Sequence, residues 1–298
     1  MIEEMKNSVI VEGILSEVDL EKKTYEKDGK MVDCIRGEIK VHVELDGKDL
    51  EIPVRFFANK LTKTNNESPA YTNLLNFLET AKSIAAVGKD EADAVRVSGA
   101  SIMMNEYFTP DNRFVTYPAV RASFINIIKR SDMAYKAVAN MAMVINSMAM
   151  VTDKDGVEVD PATLRIIGMT VGYNGYTDLV PVITDNPQYI SAIQATYNEG
   201  DAIEVSAKLY FTSSQVTTYE EVEIGDPIEH TRTVSTSDLK ISGVKSSELG
   251  TEAYSAAEVN SALASREARI ENKKTANAQK KLNERSKSIN EAKDNMGF

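Results

Sequence analysis

Apolar and polar residues alternate over long stretches of the first sixty positions, the period-two pattern of strands with one buried face. Residues 8–20 form the first such run. Residues 34–45 form the second, setting Ile35, Ile39, Val41 and Val43 opposite Arg36, Glu38, Lys40 and His42. Asp46-Gly47 supplies the positive φ of a tight hairpin into a third strand over 50–57. Between the first two strands, residues 21–33 are charged and contain the turn signal Asp28-Gly29, so a loop is expected there. The period changes over 71–87, where Leu74, Leu75, Leu78, Ala81 and Ile84 recur at helical spacing and Gly88 closes the run. Residues 94–105 and 116–128 return to the strand pattern around a second loop.

This series then recurs. Asp28-Gly29 followed by Asp33 matches Asp155-Gly156 followed by Asp160, and Pro53 in a strand-like run matches Pro181, at offsets of 127 and 128. The run Asp93-Ala94-Val95-Arg96-Val97-Ser98 returns as Asp201-Ala202-Ile203-Glu204-Val205-Ser206, at an offset of 108. Two copies with so long a period indicate duplicated domains rather than a solenoid. In the second copy, 137–151, 164–173 and 178–184 read as strands. A shortened helix follows over 189–197, then strands over 202–211 and 239–244 around a long acidic loop. Within that loop, Glu220-Glu221-Val222-Glu223 reads as a charged edge strand.

Three strands, a helix and two strands make the OB arrangement. The expected fold is therefore mainly β: two tandem OB-type five-stranded barrels, each with a helix between strands 3 and 4, plus a flexible or weakly helical C-terminal tail. The expected divisions are 1–131, 132–250 and 251–298.

Composition removes several alternatives. No apolar run reaches the roughly 20 residues of a membrane helix, and the acidic start lacks the order of a secretory signal, so a cytoplasmic protein is expected. Cys34 stands alone and reads as a small buried filler. His42 and His230 are the only histidines, which excludes cysteine- or histidine-rich metal clusters. No phosphate loop, dinucleotide fingerprint or nucleophile elbow is present, so neither an enzyme nor a cofactor is implied. Net charge is −11, distributed as −3 over 1–131, −10 over 132–250 and +2 over 251–298. A polyanionic ligand would therefore favour the first domain.

That domain interleaves aromatics with cations, the pairing that holds single strands by stacking and phosphate contact. Arg55-Phe56-Phe57 ends the third strand near Lys60, and neighbouring strand residues face opposite ways, which turns one of the two rings outward. Arg36 and Lys40 lie on the polar face of strand two. Tyr107, Phe108, Arg113, Phe114, Tyr117 and Arg121 fill the loop after strand four and the strand following it. At the chain's end, Asp294, Met296 and Phe298 form a polar tip closed by an aromatic.

The sequence resembles the tandem OB-fold single-stranded DNA-binding proteins of tailed bacteriophages, most of all where strand five reaches Arg121-Ala122-Ser123-Phe124-Ile125. The tip is similar to that of bacterial single-stranded DNA-binding proteins, although Lys293 intrudes among its acids. The resemblance implies a non-catalytic protein that binds single-stranded DNA without sequence preference in replication or recombination. It also implies that the tip docks partner proteins of those processes. The competing expectation is a structural or adaptor protein, such as a virion component, that uses its barrels for protein contacts.

Overall fold

The computed structural model describes residues 2–220 and 228–296. The first half contains β1 (Asn7–Lys27), β2 (Lys30–Leu45), β3 (Lys48–Asn59), α1 (Pro69–Thr80), α2 (Ile84–Val87), β4 (Ala94–Phe108) and β5 (Phe114–Ile128). Its strands pair in the ring β1-β2-β3-β5-β4-β1, antiparallel except for the β3–β5 contact at Val54↔Val120 to Phe56↔Ala122. The ring is a closed five-stranded barrel with a helix after its third strand.

Strands β1 and β2 approach closely at Gly37, whose φ is +141° and where a Cβ would lie 2.0 Å from the Asp19 carbonyl oxygen. Ile35, Val41, Ile52, Val95 and Val120 fill the interior with essentially no exposure. Beneath them, α1 buries Tyr71, Leu74 and Phe77, and its first turn is capped by the Ser68 hydroxyl, which accepts from the Tyr71 N–H. The helix expected over 71–87 is interrupted at Ala81, whose backbone is extended. Asp93 accepts there from the Lys82 N–H at 2.7 Å, which fixes the break before α2. Cys34 is buried, as a small filler should be.

The second half comprises β6 (Lys136–Met150), β7 (Leu164–Val171), β8 (Thr177–Thr184), α3 (Pro187–Thr196), β9 (Ala202–Glu220) and β10 (Ile228–Ser246). These five strands repeat the order of pairings, with β8 and β10 joined at the single pair Ile183↔Lys240. The sequence repeats fall on matching elements, Pro53 and Pro181 on the third strands, residues 94–98 and 202–206 on the fourth. One pairing joins the halves, Asn7↔Met141 through Glu12↔Lys136 between β1 and β6.

Two expected loops are β-ribbons instead. Residues 21–33 continue β1 and β2 to a two-residue turn at Asp28-Gly29, both at positive φ, which matches the twist of the flanking strands. The acidic stretch after residue 211 likewise continues as β9 and β10, paired as far as Glu220↔Ile228. Glu221, Val222 and Glu223 lie outside the described residues.

The segment expected to be flexible or weakly helical is the helix α4 (Ala256–Met296). It begins in a capping box: the Glu258 N–H donates to the Ser255 hydroxyl, and the Glu258 carboxylate accepts from the Ser255 N–H. Val259, Ala262 and Leu263 then pack on the patch formed by Ile2, Met5, Met169 and Val171. Among the described residues, no helix is long and apolar enough to cross a membrane.

Candidate nucleic-acid interface

A groove of about 930 Å³ runs over the outer face of the first barrel. Asp19 and Glu21 of β1, Arg36 and Glu38 of β2, Arg55 and Phe57 of β3, and Arg121 of β5 line it, with Ser101 and Met103 of β4 at one end. Strand alternation and register bring these residues together. Phe57 lies opposite Arg36 across β2–β3, and Arg55 opposite Arg121 across the parallel β3–β5 pairing.

The same alternation separates the two adjacent phenylalanines. Phe56 is 3% exposed and part of the core, whereas Phe57 is 56% exposed. Of the two rings, Phe57 is the one that offers an open face, while Phe56 touches the groove only from within the core. Tyr25, on the β1–β2 ribbon, stands 6.1 Å from Phe57 between ring centres and donates from its hydroxyl to Asn59 at 3.0 Å. Tyr25 thus stands beside Phe57, just outside the residues that line the groove.

Arg55 is held from two sides. Its Nε donates to Glu38 at 3.1 Å, and a terminal nitrogen donates to the Tyr117 hydroxyl at 3.1 Å. Asn105 donates to the same hydroxyl at 2.6 Å. Burial works against the Arg55 charge, yet Tyr117 and Glu38 hold its pKa above the ordinary guanidinium value. Arg36 faces Glu21 at 3.6 Å. The Glu21 carboxyl is held below its usual range, first by Lys23 and then by Arg36. Arg121 is exposed and has no ion pair among the described residues. Three arginines therefore share the groove with three carboxylates, which the sequence reading did not include.

The remaining candidates lie elsewhere. Residues 105–108 and 114–117 belong to the strands, so the aromatic loop shrinks to a tight turn over 109–113. At its base Phe108 and Phe114 pair with ring centres 5.2 Å apart. Phe114 and Tyr107 are about two-fifths exposed, at 40% and 43%. Arg113 is paired with Asp111 on the turn itself. Lys40 is tied to Glu17 farther along β2, and Lys60 lies 3.8 Å from Asp33 at the end of β3. Neither lines the groove. Asp294 and Met296 fall in the last turn of α4, and Phe298 lies outside the described residues.

A second groove of about 510 Å³ shares Ser101 and Met103 with the first and continues to Tyr173, Tyr176 and Asp178 in the second half. Tyr173 is 67% exposed, while the Tyr176 ring lies 3.7 Å beneath the Arg269 guanidinium. Tyr173 and Tyr176 are distant in sequence from β4, and only the fold brings them beside its Ser101 and Met103. Away from both grooves, His42 faces Glu51 at 3.3 Å through Nδ1 and Asp49 at 3.3 Å through Nε2. The Lys89 ammonium sits 3.2 Å from Nε2 and 3.3 Å from Glu44.

The family model described as YorF matches residues 6–276. No curated protein matches the sequence. Among solved structures, the wild-type single-stranded DNA binding protein from Thermus aquaticus is similar at 10% identity. That match covers 86% of this chain and 99% of that one, with a TM-score of 0.49. A deletion mutant of that protein gives 11% identity, coverages of 82% and 95%, and a TM-score of 0.43. A Replication Protein A heterotrimer bound to ssDNA gives 7% identity, coverages of 78% and 49%, and a TM-score of 0.24.

Proposed function

The chain belongs to the YorF family, and from that premise and the groove geometry we propose that it is a non-catalytic protein that binds single-stranded DNA across its first barrel. The observation that carries this reading is the exposed Phe57 ring set opposite Arg36, with Arg55 and Arg121 along the same groove. Bases stack on Phe57 and Tyr25, and the arginines meet phosphates. Stacking on an aromatic face tolerates every base, so the binding is independent of sequence.

The carboxylates shape this chemistry. Glu21 and Glu38 neutralise Arg36 and Arg55 while the groove is empty, and a phosphate takes their place on the guanidinium. The released carboxylates then attract cations from solution. Affinity falls with salt, but less steeply than the slope of about −0.7 per phosphate contact that holds for single strands. The same acids penalise a duplex, whose charge density is higher.

We read the chain as residues 1–131 carrying the principal site, 132–250 forming a second, acidic OB-type barrel, and 251–298 an appendage. In this reading the tip with Asp294, Met296 and Phe298 docks replication or recombination proteins. A structural or adaptor role is the competing reading, and the three carboxylates in the groove favour it. Gel-shift titration with single-stranded and duplex oligonucleotides of one sequence separates the two. The proposal requires a clear preference for the single strand, and equal or absent binding of both would sink it.

A further inference from the structure

The cations of α4 take no part in the groove just described, yet they are the densest in the chain. Over residues 273–287 the sequence places Lys273, Lys274, Lys280, Lys281, Arg285 and Lys287 against Glu284 alone, a net of +5 that leaves the rest of the chain at −16. Lys281 and Arg285 lie one helical turn apart, a like-charge spacing that disfavours a helix standing alone and that a polyanion relieves.

The helix is fixed beside the first barrel over the first turns of this segment. Lys273 Nζ donates to the Glu106 carbonyl at 2.9 Å, and the Asn277 amide donates to the Thr109 carbonyl at 3.4 Å. Thr109 begins the turn that joins Phe108 to Phe114, so the helix passes the aromatic end of the β4–β5 hairpin. Arg121 lines the groove and has no ion pair among the described residues. Strand β4 links groove and helix: its Ser101 and Met103 line the groove, and its Glu106 carbonyl accepts from Lys273. Beyond Asn277 the helix continues to Met296, roughly 28 Å at 1.5 Å per residue. That is long enough to follow several phosphates.

We propose that residues 273–287 of α4 form a second phosphate-binding strip, which takes up single-stranded DNA where it leaves the groove. The proposal rests on the groove being a single-strand site, and it adds a contact made by charge alone. The positive helix offsets the repulsion that the acidic remainder of the chain exerts on the strand.

The test uses the full chain carrying Lys280→Gln, Lys281→Gln, Arg285→Gln and Lys287→Gln together, titrated with labelled oligo(dT) at about 50 mM and about 200 mM salt. Glutamine matches lysine as a helix former, and far-UV circular dichroism checks that the helix is kept. The expected result is a loss of affinity of about tenfold or more at the lower salt. The salt slope should also flatten by up to ~0.7 for each contact removed. Phe57→Ala serves as the comparison: it should weaken binding at both salt concentrations and leave the slope unchanged. If the wild type and Phe57→Ala behave in this way while the glutamine variant matches wild type, the strip is overturned and the groove stands. If the glutamine variant instead changes only its sedimentation, the segment contacts another copy's acidic half and the proposal fails. A wild type that binds no oligonucleotide overturns both readings.

Discussion

Arg269 of α4 donates to the Glu106 carboxylate of β4 at 3.0 Å, although the Glu106 side chain is fully buried. Arg266 bonds the other oxygen of that carboxylate, and Arg269 reaches on to Asp178 of β8 at 3.1 Å. A helix, the first barrel and the second half thus meet in a four-charge cluster away from water. Removing one partner from such a cluster leaves an uncompensated charge, which costs about 3–5 kcal/mol. Glu106→Gln should lower the denaturation midpoint by a corresponding amount and loosen α4, seen as faster amide exchange along residues 259–277. Asp111→Ala removes an ion pair on an exposed turn and should leave the midpoint where it was. Equal effects of the two substitutions would contradict the latch.

Phe56 and Phe57 test the division between core and site. Phe56→Ala empties a buried position and should cost about 3–5 kcal/mol of stability, with DNA affinity of the folded fraction retained. Phe57→Ala should leave stability nearly intact and cost about 1–3 kcal/mol of binding to oligo(dT). Thermal melts and fluorescence titrations of both variants provide the check. A Phe57 variant that binds as tightly as wild type would remove the ring from the site.

The alternation in the sequence made this division legible before the structure, because period two dictates that neighbouring rings face opposite sides. It also gave the strand order of both halves and the helix after each third strand. The two ribbons were missed because charged residues such as Lys22, Lys23 and Lys27 look like a loop. A two-stranded ribbon that stands out from a barrel exposes both faces and needs no apolar stripe. Helix α4 was underestimated for a related reason. Its apolar residues are sparse, and beyond the short contact of Val259, Ala262 and Leu263 it is fastened by charge, Arg266 and Arg269 against acids distant in sequence. The groove carboxylates Glu21 and Glu38 were invisible as partners until register set them beside Arg36 and Arg55.

Tyr173 decides whether the bound strand crosses into the second half. The two grooves meet at Ser101 and Met103, and Tyr173 is the most exposed ring of the second one. Tyr173→Ala should leave the affinity for short oligonucleotides unchanged, since these fill the first groove alone. For longer oligonucleotides it should cost about 1–3 kcal/mol. An oligo(dT) length series measured for wild type and variant locates the length at which the curves separate. Curves that coincide at every length would confine the site to the first barrel.

Two buried carboxylates should give the stability curve opposite slopes in acid. Glu12 is 2% exposed and accepts from Arg96 Nε at 2.6 Å and from the Ala134 N–H at 2.7 Å. The Arg96 bond is the main cause that holds its pKa below the ordinary value, with burial working against it. A depressed folded pKa gives stability that is complete above the unfolded value of about 4.3 and is lost as pH falls through the folded one. For Asp178 burial dominates and raises the pKa, although the Met104 N–H and Arg269 oppose it. Its contribution has the other sign: present below the unfolded value of about 3.9, and lost as pH rises through the folded one. Urea denaturation between about pH 3 and pH 7 should therefore show Glu12→Gln flattening the acid loss of stability and Asp178→Asn steepening it. The readout is the shape of each curve and not its height, because both substitutions also remove a partner from an arginine. Two variants whose curves run parallel to wild type would show that neither carboxylate titrates differently in the folded chain.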